Sequence, residues 1–418
     1  MWPALTQHPK TMHLVFSDQT LPLTITQSIF LAGPSPRKRG PGDVPDWRHD
    51  ALTYLDALGY TGTVFIPAPQ AVFFGLPYAN DVDYDSQIAW EVKARAMADQ
   101  LVFWVGRDID RSREDLGMPG FTTNVELGAD QFSGKLVYGR PDDAPKCRYL
   151  DECVRAQGYP VHNILSATLN TAVAALGEGS LRIAGETSVP LFIWQSPQFQ
   201  SWYANLKAAG NILHNAQVRF NLKVGGGKLF SYILAVDIWV TAENRFKSNE
   251  LVFARRDVSL VLAFYNDPAA NTVKVVLVRE FRSTVNNKEG YVYELPGGSV
   301  LAAAEPMQNV AQVELQEETG LSVIDASRLR YVGQRQVAAS TTSQVAHVYA
   351  LQLTAEEIAE LEQTAASGKP LGEVADSERT FVHVVRIQDL LKLPVDYTTL
   401  GVVFEAMATD PAFLGALT

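Results

Sequence analysis

Three glutamates near the end of a helical segment, Glu314, Glu317 and Glu318, have the spacing of a divalent-cation site. The helix is predicted to open at Glu305-Pro306, where proline suits the first turn, and to close at Gly320. Because residues three and four apart share one face of a helix, the three carboxylates are expected to converge. Converging carboxylates repel one another unless a cation lies between them, and their hard oxygen atoms favour Mg²⁺ or Mn²⁺. The alternative interpretation is a solvated acidic helix face.

Two further acidic residues, Glu91 and Glu126, lie in the first half of the chain. The segment FTTNVELG follows a predicted strand and places Glu126 in the first turn of the next helix, where the helix dipole favours the ionised form. An ionised carboxylate in that position is a competent nucleophile. Glu91 lies beside Trp90 in an apolar helix, where a carboxyl group can stay protonated and act as a general acid. Either glutamate could instead occupy a solvated helix position.

The loop GPSPRKRG comes directly after the first predicted strand. Open α/β sheets bind ligands at the carboxyl ends of their strands, so this loop is a candidate phosphate site. Gly33 permits close approach of the backbone, and Ser35 and Arg37 could hold a 5′-phosphate. The alternative is a basic surface turn.

The composition restricts the classes of partner. A chain of 418 residues with 47% hydrophobic residues can bury more than one core, which predicts two domains. The net charge is −11 and no stretch concentrates Lys and Arg, so polymeric nucleic acid is not expected as a partner. A small anionic substrate is compatible with this charge, because local arginines or a bound cation can offset its phosphates. No signal peptide or membrane-spanning apolar run is found, and Cys147 and Cys153 are the only cysteines. A cytoplasmic protein with reduced thiols and no membrane partner is expected.

The order of apolar and helical segments predicts an α/β protein with two domains. After an N-terminal extension, residues 1–27, short strands alternate with helical stretches in SIFLAG, DWRHDALTYLDALG, TVFIPA, SQIAWEVKARAMAD and QLVFWV. This alternation is typical of a doubly wound parallel sheet, which we assign to residues 28–181. In residues 182–418, the strands VSLVLAFY and TVKVVLVREF lead into ELPGGS, a helix ending at Thr319, the strand pair RYVGQRQV and AHVYALQL, and a closing helix.

The segment GSVLAAAEPMQNVAQVELQEETGL, residues 298–321, resembles the Nudix hydrolase motif, with Glu314, Glu317 and Glu318 at matching positions. The resemblance implies an α/β/α sandwich with a mixed sheet and hydrolysis of nucleoside diphosphates with Mg²⁺ or Mn²⁺. All three glutamates would be metal ligands, and Glu317 and Glu318 would also be catalytic. Val313 stands where the family has an arginine that orients a catalytic glutamate, and the first loop is longer by one residue.

Upstream, VREFRSTVNNKEGYVYELPGGS resembles the Nudix subgroup that hydrolyses ADP-ribose and related nucleoside diphosphate sugars. Arg279 and Arg282 could therefore hold a terminal phosphate or a ribose. The alternative for each arginine is a surface ion pair with Glu280 or Glu289.

The first domain resembles the nucleoside 2-deoxyribosyltransferase-like family in FLAGPSPR, WEVKARAMADQLVFWV and GFTTNVELGAD, which cover about residues 28 to 150. The resemblance implies a flavodoxin-like fold that cleaves N-glycosidic bonds. It places the nucleophile at Glu126, which would attack the anomeric carbon, displace the base and leave a glycosyl-enzyme intermediate. Glu91 is then the candidate acid that protonates the departing base, and Asn124 is a further substrate-binding candidate.

Together the two resemblances favour a homo-oligomeric enzyme that combines glycosidic cleavage or base exchange with diphosphate hydrolysis. NAD, ADP-ribose or a modified nucleotide would contain both bond types. One alternative is a nucleotide sensor or regulatory protein whose second domain binds its ligand without hydrolysing it. Another is an enzyme in which only the second domain is catalytic and the first serves oligomerisation.

Overall fold

A computed structural model shows a mixed α/β protein, as the sequence predicts. The chain divides into two compact units, Met1–Val252 and Phe253–Thr418. No helix in the described ranges combines the length and the apolar character that a membrane span requires. The structure describes residues 12–35, 46–75, 83–109, 117–224, 227–299, 305–321, 325–372 and 378–413.

The first unit begins with alternating strands and helices, and every strand and helix predicted there from the sequence is present. The strands up to the boundary between the units are β1 His13–Phe16, β2 Thr24–Ile25, β3 Ser28–Ala32, β4 Thr63–Ile66, β5 Gln100–Trp104, β6 Asp108–Ile109, β7 Gly117–Met118, β8 Leu136–Gly139, β9 Val161–His162, β10 Arg182–Ile183, β11 Ile212–Val224, β12 Lys228–Val240 and β13 Arg245–Arg255. The helices are α1 Trp47–Ala57, α2 Gln70–Phe73, α3 Tyr84–Met97, α4 Phe121–Asp130, α5 Arg148–Ala156, α6 Leu165–Leu176, α7 Leu191–Trp194 and α8 Pro197–Ala208.

Six of these strands form a parallel sheet in the order β1-β4-β3-β5-β8-β9. Strand β3 lies between β4 and β5. Strands β1 and β4 therefore lie on one side of β3, and β5, β8 and β9 lie on the other. The loops after β3 and β5 therefore flank the point where the strand order reverses. In open α/β sheets this point, at the carboxyl ends of the strands, is where ligands bind. Both central strands, SIFLA and QLVFW, are buried along their whole length, as expected for a parallel sheet covered on two sides.

Helices cover both faces of this sheet. Helices α3, α4 and α5 pack on one face, where Leu127 of α4 joins Phe30 and Phe103 from the central strands in one core cluster. Helix α6 packs against β5 and β8 and also contacts α1. Successive strand residues alternate between the faces, so the buried Val102 lies on the opposite side from Phe103. This two-sided packing holds the carboxyl ends of the strands in fixed positions.

The predicted N-terminal extension, residues 1–27, contains a strand of the sheet. Strand β1 pairs in parallel with β4, from His13 opposite Thr63 to Phe16 opposite Ile66. It is an edge strand of only four residues, which periodicity alone cannot separate from an apolar loop.

The predicted domain boundary at residue 182 lies inside the first unit. Arg182 belongs to β10, which pairs with β2, and its fully buried guanidinium forms an ion pair with Asp99 at 2.6 Å. Asp99 also accepts hydrogen bonds from the Ser28 hydroxyl at 2.9 Å and from the Leu191 amide at 2.8 Å. Because a buried charge without its partner is strongly destabilising, this network ties the segment after residue 182 to the parallel sheet.

After α8 the chain forms a three-stranded sheet in the order β11-β12-β13. Strands β11 and β12 are antiparallel and pair from Ile212 opposite Trp239 to Val224 opposite Lys228. This sheet belongs largely to the first unit, whereas the sequence predicts that the β-rich segments after residue 182 belong to the second domain.

The second unit contains a mixed sheet between helices. One core cluster joins the sheet to α9 and α10, and another joins it to α11. The strands pair in the order β16-β15-β14-β19-β18, with β17 on β14 and β20 on β15, and only the β14–β19 pairing is parallel among those described. These elements are β14 Val258–Asp267, β15 Thr272–Phe281, β16 Tyr291–Glu294, β17 Gly297–Gly298, α9 Met307–Thr319, β18 Arg330–Gln336, β19 Val345–Gln352, α10 Ala355–Ser367, β20 Thr380–Arg386 and α11 Tyr397–Thr409.

Candidate functional site

Glu91 and Glu126 come together in the first unit, on α3 and α4. Both are half-buried, and they approach closely enough for a carboxyl-carboxylate hydrogen bond. Burial raises the pKa of Glu126 to about 7, Arg95 opposes the rise, and the neighbouring Glu91 adds to it. Two carboxylates in contact cannot both ionise easily, so Glu126 stays partly protonated near neutral pH.

The prediction that Glu126 lies in the first turn of its helix is wrong. Helix α4 begins at Phe121, after Gly120 as N-cap with a left-handed φ of 64°, so Glu126 is in the second turn. Glycine adopts that conformation at little cost, which lets the helix start earlier than FTTNVELG suggests. The helix dipole acts mainly on the first turn, and burial therefore dominates at Glu126.

A cationic group on α3 borders the carboxyl pair. Arg95 Nη1 forms an ion pair with Asp130 Oδ2 at 2.9 Å, and its charge partly offsets the effect of burial on Glu126. Lys135 Nζ donates to the Arg95 carbonyl at 2.6 Å, and its burial lowers the pKa of Lys135 to about 8. Sequence analysis did not single out Arg95, because its approach to Glu126 depends on how α3 and α4 pack.

The loop after β3 is shaped by Arg48, which the sequence analysis also missed. The buried guanidinium of Arg48 donates to the Gly33 carbonyl at 2.8 Å and to Ser35 Oγ at 2.9 Å. A Cβ atom at position 33 would lie 2.3 Å from the Trp104 carbonyl oxygen, so only glycine allows the loop to approach β5 this closely. Ser35 remains exposed beside this loop, while Arg37 lies outside the described residues.

Asn124 is oriented from the loop after β5. Arg107, which is almost fully buried, donates from Nη2 to Asn124 Oδ1 and from Nη1 to the Lys146 carbonyl at 3.2 Å. Asn124 lies on α4 two residues before Glu126. The loops after β3 and β5 lie at the carboxyl edge of the parallel sheet, and the contact of Arg107 with Asn124 joins the second loop to the helix that carries Glu126.

A second carboxylate cluster lies in the second unit. Glu280 on β15, Glu318 on α9 and Glu378 each place a carboxylate oxygen within 4.8 Å of the others. Burial raises the pKa of Glu318 well above its usual range; the Gly297 amide, which donates to Glu318 Oε2 at 2.8 Å, opposes the rise, and the neighbouring carboxylates add to it. Burial likewise raises the pKa of Glu280 to about 7, with Arg282 opposing the rise.

Of the three ligands predicted from helical spacing, only Glu318 belongs to this cluster. The predicted end of the helix is confirmed, because α9 stops at Thr319 and Gly320 is its C-cap, with the left-handed φ of 70° typical of a helix end. The helix begins at Met307, one residue later than predicted, and Pro306 is the N-cap and does not lie in the first turn. Glu314 is half-buried, and its carboxylate lies against Gly298, 2.5 Å from where a Cβ would stand. Glu317 is exposed on the next turn.

The two arginines considered as phosphate ligands have different surroundings. Arg279 lies over the Tyr291 ring at 3.9 Å from its centroid, and its Nη2 is also 3.9 Å from Glu289 Oε2. Arg282 contacts the carboxylate cluster, with Nη2 at 2.7 Å from Glu280 Oε2. Glu289 and Glu280, the alternative ion-pair partners, therefore lie beside Arg279 and Arg282, respectively.

The composition of the cluster suits a hard divalent cation. All three side chains offer oxygen atoms, which are the ligands that Mg²⁺ and Mn²⁺ prefer. Within the described residues, the buried Oε2 of Glu280 receives no aligned hydrogen bond, although Arg282 is within ion-pair distance. Glu280 and Glu378 were missed because no sequence spacing relates them to Glu318; three separate segments bring them together.

Comparison of the sequence with models of protein families, and with curated proteins, gives no match. The two carboxylate clusters and the elements that position them therefore carry the functional assignment.

Proposed function

We propose that the chain is a nucleotide-processing enzyme whose first unit cleaves N-glycosidic bonds and whose second unit hydrolyses nucleoside diphosphates with a divalent cation. NAD, ADP-ribose or a modified nucleotide would supply both bonds. The observation that carries the first activity is the contact between Glu91 and Glu126 in a half-buried site. It brings two carboxyl groups to one place, and glycosidic cleavage with retention uses two carboxyl groups, one as acid and one as nucleophile.

The strand order supports the resemblance to the nucleoside 2-deoxyribosyltransferase-like family. Without the edge strand β1, the order β4-β3-β5-β8-β9 follows the flavodoxin-like pattern, in which the first strand lies between the second and the third. Glu126 follows β5 in the chain, and the Gly33 loop follows β3, the two strands that flank the switch point.

The proposed reaction uses the single proton of the carboxyl pair. Ionised Glu126 attacks the anomeric carbon while Glu91 gives its proton to the departing base, so the glycosidic bond breaks as the glycosyl-enzyme bond forms. Water or a second base then attacks the same carbon, and Glu91 takes the proton of the attacking group. Arg107 would keep Asn124 oriented toward the sugar.

The rate of base release is expected to fall as the pH rises past about 7. The pKa of Glu126, raised to about 7 mainly by burial, sets the pH at which the pair loses its shared proton. Above it both carboxylates are ionised, and no proton remains for the departing base. Initial rates measured from about pH 5 to about pH 9 would show this alkaline decline. A rate that stays constant or rises over the alkaline half would contradict the assignment.

For the second unit, we propose that Glu280, Glu318 and Glu378 bind Mg²⁺ or Mn²⁺, with Glu314 and Glu317 as further candidate ligands or catalytic groups. The mixed sheet between helices supports the resemblance to Nudix hydrolases. A bound cation would neutralise diphosphate oxygens and polarise phosphorus toward water. Arg282 beside Glu280 could pair with the same phosphates.

Metal affinity is expected to rise with pH and binding to release protons. The pKa values of Glu280 and Glu318 are raised mainly by burial, so a cation must displace protons that these groups hold near neutral pH. Calorimetric titration of the full chain with Mn²⁺, in two buffers of different ionisation enthalpy, would count the protons released. Binding of equal affinity at about pH 6 and about pH 8, with no proton release, would contradict a site made of these glutamates.

The competing function for the second unit is a nucleotide sensor. The valine at position 313 favours this alternative. Val313 is 45% exposed on α9 in the place of the arginine that orients a catalytic glutamate in Nudix hydrolases. A sensor would bind a metal and a nucleotide without releasing monophosphate. A hydrolysis assay of the metal-loaded chain separates the two functions.

A further inference from the structure

We infer that Gln87 is a positioning residue that orients the Glu91 carboxyl group and keeps Glu91 Oε1 as a hydrogen-bond acceptor. The inference rests on the proposed glycosidic cleavage and adds a residue that the sequence analysis did not single out. Gln87 Nε2 donates to Glu91 Oε1 at 2.9 Å, and the same amide nitrogen lies 3.4 Å from the Pro67 carbonyl oxygen.

The helix holds the donor in place. Gln87 precedes Glu91 by four residues on α3, so the two side chains share one helix face. Trp90, on the same turn, is buried and donates from Nε1 to the Gln19 carbonyl at 2.9 Å, which fixes the rotation of α3. The amide of Gln87 therefore approaches one defined oxygen of Glu91.

This contact decides which oxygen can carry a proton. A hydrogen on Glu91 Oε1 would face the N–H donor of Gln87, so protonation there is disfavoured. The remaining positions are Glu91 Oε2 and the carboxyl group of Glu126. Transfer of the proton from Glu126 to Glu91 Oε2 breaks one O–H bond, forms another, and moves the negative charge to Glu126. This single exchange turns the resting pair into an ionised nucleophile and a protonated acid.

The neighbouring charges act on Glu126 from other elements. Arg95 on α3, whose ion-pair partner is Asp130 on α4, and Arg48 on α1 both favour the ionised form of Glu126. Gln87 is neutral, so replacing it changes no formal charge in this group. A change in titration of the pair would therefore report the lost hydrogen bond.

The test replaces Gln87 with methionine, which has a similar length and no donor. Glutamate carboxyl carbons labelled with ¹³C are titrated by NMR in the full chain, and base release from a nucleotide panel is followed over pH. In Gln87→Met we expect the titration midpoint of the pair to rise by about one pH unit, since an ionised Glu91 loses a donor. The alkaline decline of base release should move up with it, and kcat should fall about tenfold or more with little change in KM.

Gln131→Met is the matched control, because Gln131 ends α4 and its amide donates to the Gly128 carbonyl, away from the pair. Gln87→Leu, which likewise has no donor and no charge, should move the midpoint in the same direction and keeps the test decisive if the methionine variant does not fold. An unchanged midpoint in both Gln87 variants overturns the inference. Absence of base release in the wild type, with the midpoint shifted, would reject the glycosidic function and keep the proton-positioning role.

Discussion

Glu126→Gln is expected to lower base release by at least about a thousandfold, the scale on which an enzyme loses activity without its nucleophile. Glutamine has the shape of a protonated glutamate, and burial keeps Glu126 partly protonated near neutral pH, so the fold should tolerate the change. Nucleotide affinity should change far less than kcat, because in the proposed site the loops after β3 and β5 hold the nucleotide. The rates are measured by chromatography of the released base.

The matched control is Glu152→Gln. Glu152 lies on the exposed surface of α5 in an ion pair with Arg155, which is worth little in water. Rapid quenching of the wild type should also trap a glycosyl group on the peptide that contains Glu126. If Glu126→Gln releases base at the wild-type rate, the glycosidic assignment is wrong and the first unit has another role, such as oligomerisation.

The second large effect concerns the carboxylate cluster of the second unit, the proposed metal site. Glu318→Gln is expected to weaken Mn²⁺ binding by at least about a hundredfold, more than the usual loss from removing an outer partner of a metal ligand. Diphosphate hydrolysis should fall at least as far, because the cation neutralises the reacting phosphates. The glutamine carbonyl can still accept the Gly297 amide, which donates to Glu318 at 2.8 Å, so the ELPGG loop should keep its position.

Calorimetry with Mn²⁺ and release of monophosphate measure the two effects in the same samples. Glu360→Gln on the exposed surface of α10 changes the net charge equally without touching the cluster and should behave as wild type. Unchanged Mn²⁺ affinity in Glu318→Gln, with the fold intact, would show that the cluster is a buried acidic group without a metal function.

Local patterns in the sequence were sufficient to predict much of the secondary structure. The end of α9 at Gly320 follows from one glycine that favours the left-handed region, and the strands SIFLA and QLVFW follow from continuous apolar runs. The order of the strands is harder to predict from local patterns, because it depends on contacts between segments that are distant in the sequence. The short edge strand at His13–Phe16 and the buried Arg182–Asp99 ion pair have no local signature, so residues 1–27 and the boundary at 182 were assigned without them.

The candidate sites show the same difference between local patterns and contacts of distant segments. Glu91 and Glu126 could be found from their helices, but the pKa of Glu126 depends on burial that a helix position does not reveal. Spacing on α9 identified Glu318, whereas Glu280 and Glu378 reach it from other segments of the unit. Chemistry at the end of one helix is predictable from periodicity, and chemistry assembled by the tertiary fold is not.

The most direct test of the two-reaction enzyme is mass spectrometry of the products that the full chain makes from NAD, ADP-ribose and a nucleotide panel in the presence of Mg²⁺. Wild type should release both free base and nucleoside monophosphate. Glu126→Gln should lose only the base-releasing reaction, and Glu318→Gln should lose only the reaction that gives monophosphate. Loss of both products in either single variant would contradict separate catalytic sites, and wild-type protein that releases neither product from any substrate would contradict the proposed function.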